Sequence, residues 1–324
     1  MQTISFPQSA AIDSAARRQL IGPIVVATDG RAQSVGAFAA AISIADRYTR
    51  DAGLVAKLPV HVITVSASMP VLSPEMTTMV PTEFRDLHRR DMLATAIEQV
   101  RYNVADSTSW EVKATYGPPA ATIAGAAAEE NASLIVMGLG KHDLVDRVFG
   151  SETALGVMQR SWIPVLAVPQ NWIGVPRRVL IAVDFGRAEL RAARTAMSIV
   201  APGGSVCFAH VAARPGQPDD EIRNGDELDR FVEAVGVPAD ITVNRTQIHG
   251  DPARALLDHA RSDGIDMIVA GTHGRNALAR LFVGSVARTL VRGARCAILV
   301  ASEPKDSKDG FTGTAVRVSP TLPS

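Results

Sequence analysis

Four small residues late in the chain combine residue types and a spacing that suit anion chemistry. Two residues separate Gly271 from Gly274, and nine more precede Gly284 and Ser285. Phosphate oxygens need several converging backbone N–H groups, and glycine lets the backbone approach where a side chain would block it. Gly284 and Ser285 also open a helical segment, whose unpaired N–H groups and positive dipole end favour an anion. The segment therefore predicts a phosphate-binding loop.

Few other residues have types and spacings that indicate chemistry. His273 lies inside the loop and His210 ends a strand-like segment, but no nucleophile or second acid is fixed beside either, so we predict no catalytic residue. The patterns GxSxG and GxxxxGK followed by Ser or Thr are absent. Cys207 and Cys296 lie in apolar runs that predict buried reduced thiols, and no motif predicts a structural metal.

The elements that must position the loop occur twice in the chain. Segments 22–30 and 178–186 are apolar runs that reach an Asp closely followed by Gly, and an Ala-rich helical pattern follows each. Later apolar runs at 134–138 and 267–271 both end at a glycine. Strands that alternate with helices predict parallel sheets with crossover connections. The predicted fold class is α/β, with two tandem doubly wound domains, each a five-stranded parallel sheet with flanking helices.

Composition shifts along the chain predict its division. We expect an N-terminal extension at 1–21, a first domain at 22–170, a linker at 171–177, a second domain at 178–302 and a disordered tail at 303–324. The first copy also carries a longer Pro- and Met-rich insert around 68–90. This insert is either a lid or partner surface or an ordinary variable crossover.

Charge and hydropathy exclude several classes of partner. The 324 residues contain 33 Lys and Arg and 33 Asp and Glu, so no global field attracts nucleic acid, and the basic segment 85–91 is expected to be a solvated helix face. No apolar run approaches the roughly 20 residues that cross a bilayer, and the first residues are too polar for a signal peptide. We therefore expect a cytoplasmic protein without nucleic-acid or membrane partners.

The glycine loop, with the strand order and the Asp that follows the first strand, resembles the universal stress protein family. The resemblance is to tandem members of its ATP-binding branch, whose pattern of Gly, two residues, Gly, nine residues, Gly and Ser or Thr is matched by 271–285. It covers roughly residues 22–170 and 177–302. It implies a Rossmann-like, adenine nucleotide alpha hydrolase-like fold with ATP across the carboxyl ends of the strands. The implied function is ATP binding as a signal or structural ligand in stress response.

The resemblance also assigns residues in the second copy. It implies that Ala182, Val183 and Asp184 edge the adenine and ribose pocket, with Val211 beside the base. Asp184 is the candidate ligand for a phosphate-bound Mg²⁺ or for a ribose hydroxyl, and its alternative role is to cap the following helix. The residues implied to hold ribose and phosphates are Gly271, Gly274, Gly284, Ser285 and Val286.

The first copy departs from the family pattern. Only one residue separates its glycines at 138 and 140, and Glu152 enters the first turn of the following helix. A carboxylate about 6 Å from a phosphate opposes binding by roughly 3 kcal/mol at an effective dielectric near 20. Lys141 offsets this charge, or Glu152 points outward. We predict a weaker or altered site formed by Asp29, Val65, Gly138, Gly140, Gly150 and Ser151.

Two other functions and one assembly remain open from the sequence. The chain is alternatively a scaffold for unknown protein partners that binds no nucleotide, or a slow ATP hydrolase, and at most a weak ATPase activity is expected. In the family the last strands often pair between domains, which implies that 166–168 and 298–300 pair and make each chain a pseudo-dimer. Whether two chains form a homodimer is left open.

Overall fold

A computed structural model of the chain describes most of its residues. The described ranges are 20–51, 57–66, 82–104, 110–140, 151–212, 218–272 and 284–303. Most of the insert around 68–90 lies outside these ranges, as do the predicted tail beyond residue 303 and the loop residues Lys141, Gly150, His273 and Gly274.

Ten strands and eight α-helices alternate along the described chain, as the sequence predicts. The strands are β1 Ile24–Thr28, β2 Val60–Ser66, β3 Glu111–Tyr116, β4 Leu134–Leu139, β5 Val165–Pro169, β6 Arg178–Val183, β7 Ser205–Ala212, β8 Thr242–His249, β9 Met267–Gly271 and β10 Ala297–Ala301. The helices are α1 Val35–Asp51, α2 Thr82–Asn103, α3 Pro119–Glu129, α4 Ser151–Arg160, α5 Arg187–Ile199, α6 Pro218–Val235, α7 Pro252–Ser262 and α8 Ser285–Gly293.

The strands form one continuous sheet in the order β3-β2-β1-β4-β5-β10-β9-β6-β7-β8. Within each half the pairs are parallel, so the predicted tandem of five-stranded parallel sheets is confirmed. The inner strands β1 and β4 are buried at every position because helices cover both of their faces. The edge strands β3 and β8 instead have several exposed positions.

The two halves join through β5 and β10, which are antiparallel. Leu299 pairs with Leu166 and Val300 with Val165, so the predicted pairing forms one residue earlier in β5 than the sequence suggested. The strands of each half all run in one direction, and the antiparallel junction reverses that direction between the halves. The carboxyl ends of the strands therefore point one way in the first half and the opposite way in the second.

Two apolar layers enclose the sheet. One layer packs α1, α2, α5 and α6 against it, and includes Phe38 from the first half and Phe208 from the second. The other packs α3, α4, α7 and α8, and includes Ile135 and Ile298. Both layers run across the junction, so the tandem halves share their core in the manner of a pseudo-dimer.

Polar contacts also join the halves. Arg191 on α5 donates from Nη1 to the carbonyl oxygen of Trp162 at 2.7 Å and lies over its ring.

Cys207 and Cys296 are free thiols, half-buried rather than fully enclosed, and burial raises the pKa of Cys296 to about 11. Across the ranges that the structure covers, none of the helices combines the length and apolarity needed for a bilayer span.

Candidate functional site

The second domain reverses its strand order between β6 and β9. The chain leaves β6 for β7 on one side and later places β9 on the other. In open α/β sheets such a reversal opens a crevice at the carboxyl ends of the strands. Asp184 follows β6 and is exposed there, while Gly271 ends β9. The structure therefore brings these two predicted residues to the same edge.

The beginning of α8 is tied to this edge by two backbone hydrogen bonds. The N–H of Gly284 donates to the carbonyl oxygen of Thr272 at 2.7 Å, and the N–H of Thr272 donates to that of Ala301 at 3.0 Å. Gly284 is the N-cap of α8 and supplies no side-chain acceptor, and Ser285 is exposed. The N-cap residue of α8 thus offers no side-chain acceptor to the first N–H groups of the helix, an arrangement that favours an anion.

Gly271 and Gly138 are required by close packing. A β-carbon at Gly271 would overlap Oε1 of Glu189 and lie 2.9 Å from its backbone nitrogen. At Gly138 it would overlap the carbonyl oxygen of Gln33 and lie 3.4 Å from the α-carbon of Ser34. The end of the strand therefore touches the turn that follows the first strand of each half. This packing explains the first glycine of each motif without any ligand.

We expect Gly138→Ala to lower the free energy of unfolding by about 1 to 3 kcal/mol in ligand-free protein, because the backbone of Gln33 must move to admit the methyl group. The matched control is Gly125→Ala on α3, where no atom lies within 4 Å. That change should stabilise the helix by up to about 1 kcal/mol. Urea unfolding of both variants measures the difference. Equal stability of Gly138→Ala and the unsubstituted chain would contradict the packing argument.

Glu189 is a site residue that the sequence interpretation missed. It lies in the first turn of α5 against Gly271, is 5% exposed, and its Oε2 has no hydrogen-bond partner among the described residues. Burial, reinforced by the charges of Asp184 and Glu303 and opposed by backbone hydrogen bonds, raises the pKa of Glu189 to about 7. The sequence signal that could have identified Glu189 is its position three residues after Gly186, the N-cap of α5, where glutamate commonly caps a helix.

Phe185 is a second residue that was missed. Its φ is 58°, in the left-handed region that non-glycine residues rarely adopt, and the first half has Gly30 with φ 78° at this position of the repeat. The Phe185 ring lies 4.9 Å from that of His210, and His210 Nδ1 lies 2.9 Å from the carbonyl oxygen of Val183. Because a carbonyl only accepts, Nδ1 carries the proton. The aromatic pair forms a wall beside Asp184.

The other predicted residues of the second domain that the structure describes lie around the same edge. Ala182, Val211 and Val286 are partly buried and pack against the layer that holds α7 and α8. Val183 is buried in the opposite layer. Gly274 and His273 lie outside the described residues.

In the first domain, Asp29 is engaged by its own turn. Its Oδ1 accepts from the N–H of Arg31 at 3.0 Å and from the hydroxyl of Ser34 at 3.1 Å. A cavity of about 10 Å³ remains between Asp29, Gln33 and Gly138, which is room for one water molecule at most. The Asp29 side chain is only 6% exposed, whereas Asp184 at the matching place in the second domain is exposed.

The remaining first-domain residues that the structure describes lie near the ends of β2 and β4 and at the start of α4. Val65 is buried near the end of β2, Gly140 follows β4, and Ser151 begins α4. Glu152 points away, because its Oε1 accepts from Arg292 Nη2 at 2.6 Å across the domain junction. The outward orientation considered for Glu152 is the one that the structure adopts.

Comparison with known proteins gives matches over both halves. The model of the universal stress protein family matches residues 21–169 and 176–302. Universal stress protein Rv2005c of Mycobacterium tuberculosis is 22% identical over 230 residues, 66% of this chain and 77% of its own. Universal stress protein MJ0531 of Methanocaldococcus jannaschii is 25% identical over 152 residues, 43% of this chain and 89% of its own.

Solved structures agree with the fold. A universal stress protein from Archaeoglobus fulgidus has a TM-score of 0.62 at 19% identity and covers 87% of this chain and 98% of its own. A second, named as a putative universal stress protein from Pseudomonas aeruginosa, has a TM-score of 0.56 at 15% identity and covers 90% of this chain and 95% of its own. At these identities the likeness describes the architecture of both halves.

Proposed function

Because the chain belongs to the universal stress protein family, we propose that it binds ATP at the carboxyl edge of its second domain, as a signal or structural ligand in a stress response. The observation that supports this most is the first turn of α8, which meets the end of β9 at the strand-order reversal. The turn offers N–H groups without a side-chain cap to phosphates, and Ser285 adds an exposed hydroxyl.

We propose that the adenosine lies along the same edge. Ala182 and Val211 supply apolar surface beside the crevice, and Phe185 with His210 supplies an aromatic wall. Asp184 is exposed between these groups and the end of β9. We propose that these residues hold the base and ribose, while Gly271, Gly274, Gly284, Ser285 and Val286 hold ribose and phosphates.

Magnesium has a physical role in this proposal. Asp184, Glu189 and Glu303 interact electrostatically and would repel a bare triphosphate. Mg²⁺ commonly takes one or two carboxylates together with phosphate oxygens and water. Among the described residues no cluster of three or more His, Cys, Asp or Glu is arranged to hold a metal. We therefore propose that the ion arrives with the nucleotide and that Asp184 is its protein ligand.

The first domain is proposed as the weaker site, because Asp29 is hydrogen-bonded within its own turn and the cavity beside it has a volume of about 10 Å³.

The proposal also includes the domain limits 22–170 and 178–302, the linker between them and a cytoplasmic location.

The first test is equilibrium binding of ATP with Mg²⁺ to the purified full chain, together with mass analysis of natively purified protein for retained nucleotide. We expect saturable binding with one tight site per chain. Absence of saturable affinity would favour the scaffold function, and two sites of equal affinity would contradict the asymmetry.

The second test concerns hydrolysis. We expect ATP to be held with little turnover, because hydrolysis needs a base aligned with an attacking water, and we assign Asp184 to Mg²⁺ and Glu189 to packing against Gly271. The measurement is steady phosphate release by the full chain and by Asp184→Ala. Sustained release that Asp184→Ala abolishes would instead support the slow hydrolase.

A further inference from the structure

A groove outside the nucleotide crevices lies where the two domains meet on the outer side of α3, α4 and α8. Its volume is about 490 Å³, which is in the range of small-molecule sites. The crevice cavity of the first domain shares no lining residue with it. The groove is lined by the start of α3, by one side of α4 and by two arginines of α8.

The groove carries an excess of positive charge. Arg160, Arg288 and Arg292 line it with one acid, Glu152. Glu152 and Arg292 pair with each other at 2.6 Å, and Arg160 Nη1 donates to the carbonyl oxygen of Gly156 in its own helix at 3.1 Å. With the residues that the structure describes, the Arg288 side chain forms no hydrogen bond or ion pair. Among the described residues, Arg160 and Arg288 therefore have no acidic partner.

The N-terminus of α3 lines this groove and lacks the acidic N-cap residue that α7 has at the matching place in the second domain. In the second domain, Asp251 is the N-cap of α7 and accepts from the N–H of Arg254 at 3.0 Å. The matching residue of the repeat is Pro118, the N-cap of α3, which provides no side-chain acceptor. The two residues have nearly the same backbone angles, φ −67° and ψ 120° against φ −61° and ψ 113°. The first turn of α3 thus presents uncapped N–H groups to the arginine-lined groove.

From these features we infer that the groove binds a small polyanion of the phosphate type. Guanidinium groups bind phosphate through paired N–H donors, and the start of α3 adds backbone donors and its dipole. Pro118, Pro119 and Leu155 give the groove an apolar side that suits a compact ligand body rather than an extended chain. The anion is either a free phosphorylated small molecule or the polyphosphate of a nucleotide.

The test is calorimetric titration of the full chain with inorganic pyrophosphate at low ionic strength. We expect saturable binding that Arg288→Gln and Arg160→Gln each weaken about tenfold. Pro118→Asp, which copies the N-cap of α7, should weaken it at least tenfold while the melting temperature is maintained. The control Arg261→Gln removes a cation outside the groove and should leave the affinity unchanged.

The outcomes separate this site from the nucleotide crevice. Gly284→Asp alters the second-domain crevice, so pyrophosphate binding that persists in this variant supports the groove, and binding that it removes overturns it. Absence of saturable binding, or equal losses in the groove variants and Arg261→Gln, also overturns it. In Gly284→Asp protein, displacement of pyrophosphate by ATP would identify a nucleotide as the source of the anion, and no displacement would identify a free anion.

Discussion

Gly284→Asp is expected to weaken ATP binding about 100-fold, because it places a carboxylate at the helix end where the proposed site receives phosphates. A charge about 6 Å from a phosphate opposes it by roughly 3 kcal/mol at an effective dielectric near 20, which corresponds to about 100-fold in affinity. The N-cap conformation at Gly284, φ −52° and ψ 153°, is one that aspartate can adopt.

Gly284→Asn is the matched control for this prediction. Asn and Asp cap helices comparably, and the β-carbon of either would lie 2.9 Å from the carbonyl oxygen of Thr272, so both variants carry the same steric cost. Both side chains can cap the first turn and occupy N–H groups that the phosphates would use, but we expect the Asn variant to bind at least tenfold more tightly than the Asp variant, since it adds no charge. Isothermal titration with Mg-ATP measures both. Equal losses would assign the effect to crowding, and an unchanged affinity for Asp would remove α8 from the phosphate site.

Glu189→Gln is expected to raise the free energy of unfolding by about 2 to 3 kcal/mol above pH 7, and by little below pH 4.5. The pKa of Glu189 is raised in the folded state to about 7 from 4.5, so the folded chain binds the proton more tightly than the unfolded chain does. The stability that protonated Glu189 gives to the folded state is fully present below pH 4.5 and is lost as the pH rises through 7. Glutamine has no charge to desolvate and escapes this loss.

Urea unfolding across that pH window measures the effect as the difference between the variant and the unsubstituted chain. Glu129→Gln, which removes an exposed carboxylate from α3, is the control and should leave the profile nearly unchanged. A stability difference that does not change with pH would show that Glu189 acts through packing and not through its charge.

The fold follows from the sequence because its inner strands are buried on both faces. Strands β1 and β4 are buried at every position and are apolar except at Thr28, and the repetition of such runs gives the order of both halves. The same property explains the shift of one residue in the pairing of β5 with β10. A strand that is apolar on both faces has no alternation to fix its register, so Leu166 and Val165 give no preference between neighbouring alignments.

The sequence predicted those parts of the candidate site that depend on local patterns. It did not predict the contacts between residues that are far apart in the chain. The placement of Asp184 and Gly284 at one edge follows from strand order and helix start. The contact between Glu189 and Gly271 depends on how closely α5 approaches β9, which no local spacing encodes. The pair formed by Glu152 and Arg292 joins residues 140 positions apart, and neither has a sequence signal that names the other.

Because the two halves are joined in one chain, each can change in sequence independently of the other. A dimer of identical subunits must accept each substitution at two places, so the residues around its two crevices cannot diverge. In this chain the antiparallel junction of β5 and β10 retains the shared core, while each half is encoded by its own stretch of sequence. Asp29 is hydrogen-bonded within its own turn, and the matching Asp184 differs from it in being exposed to solvent. Fusion therefore allows the carboxyl edges of the two halves to diverge while their shared core is kept.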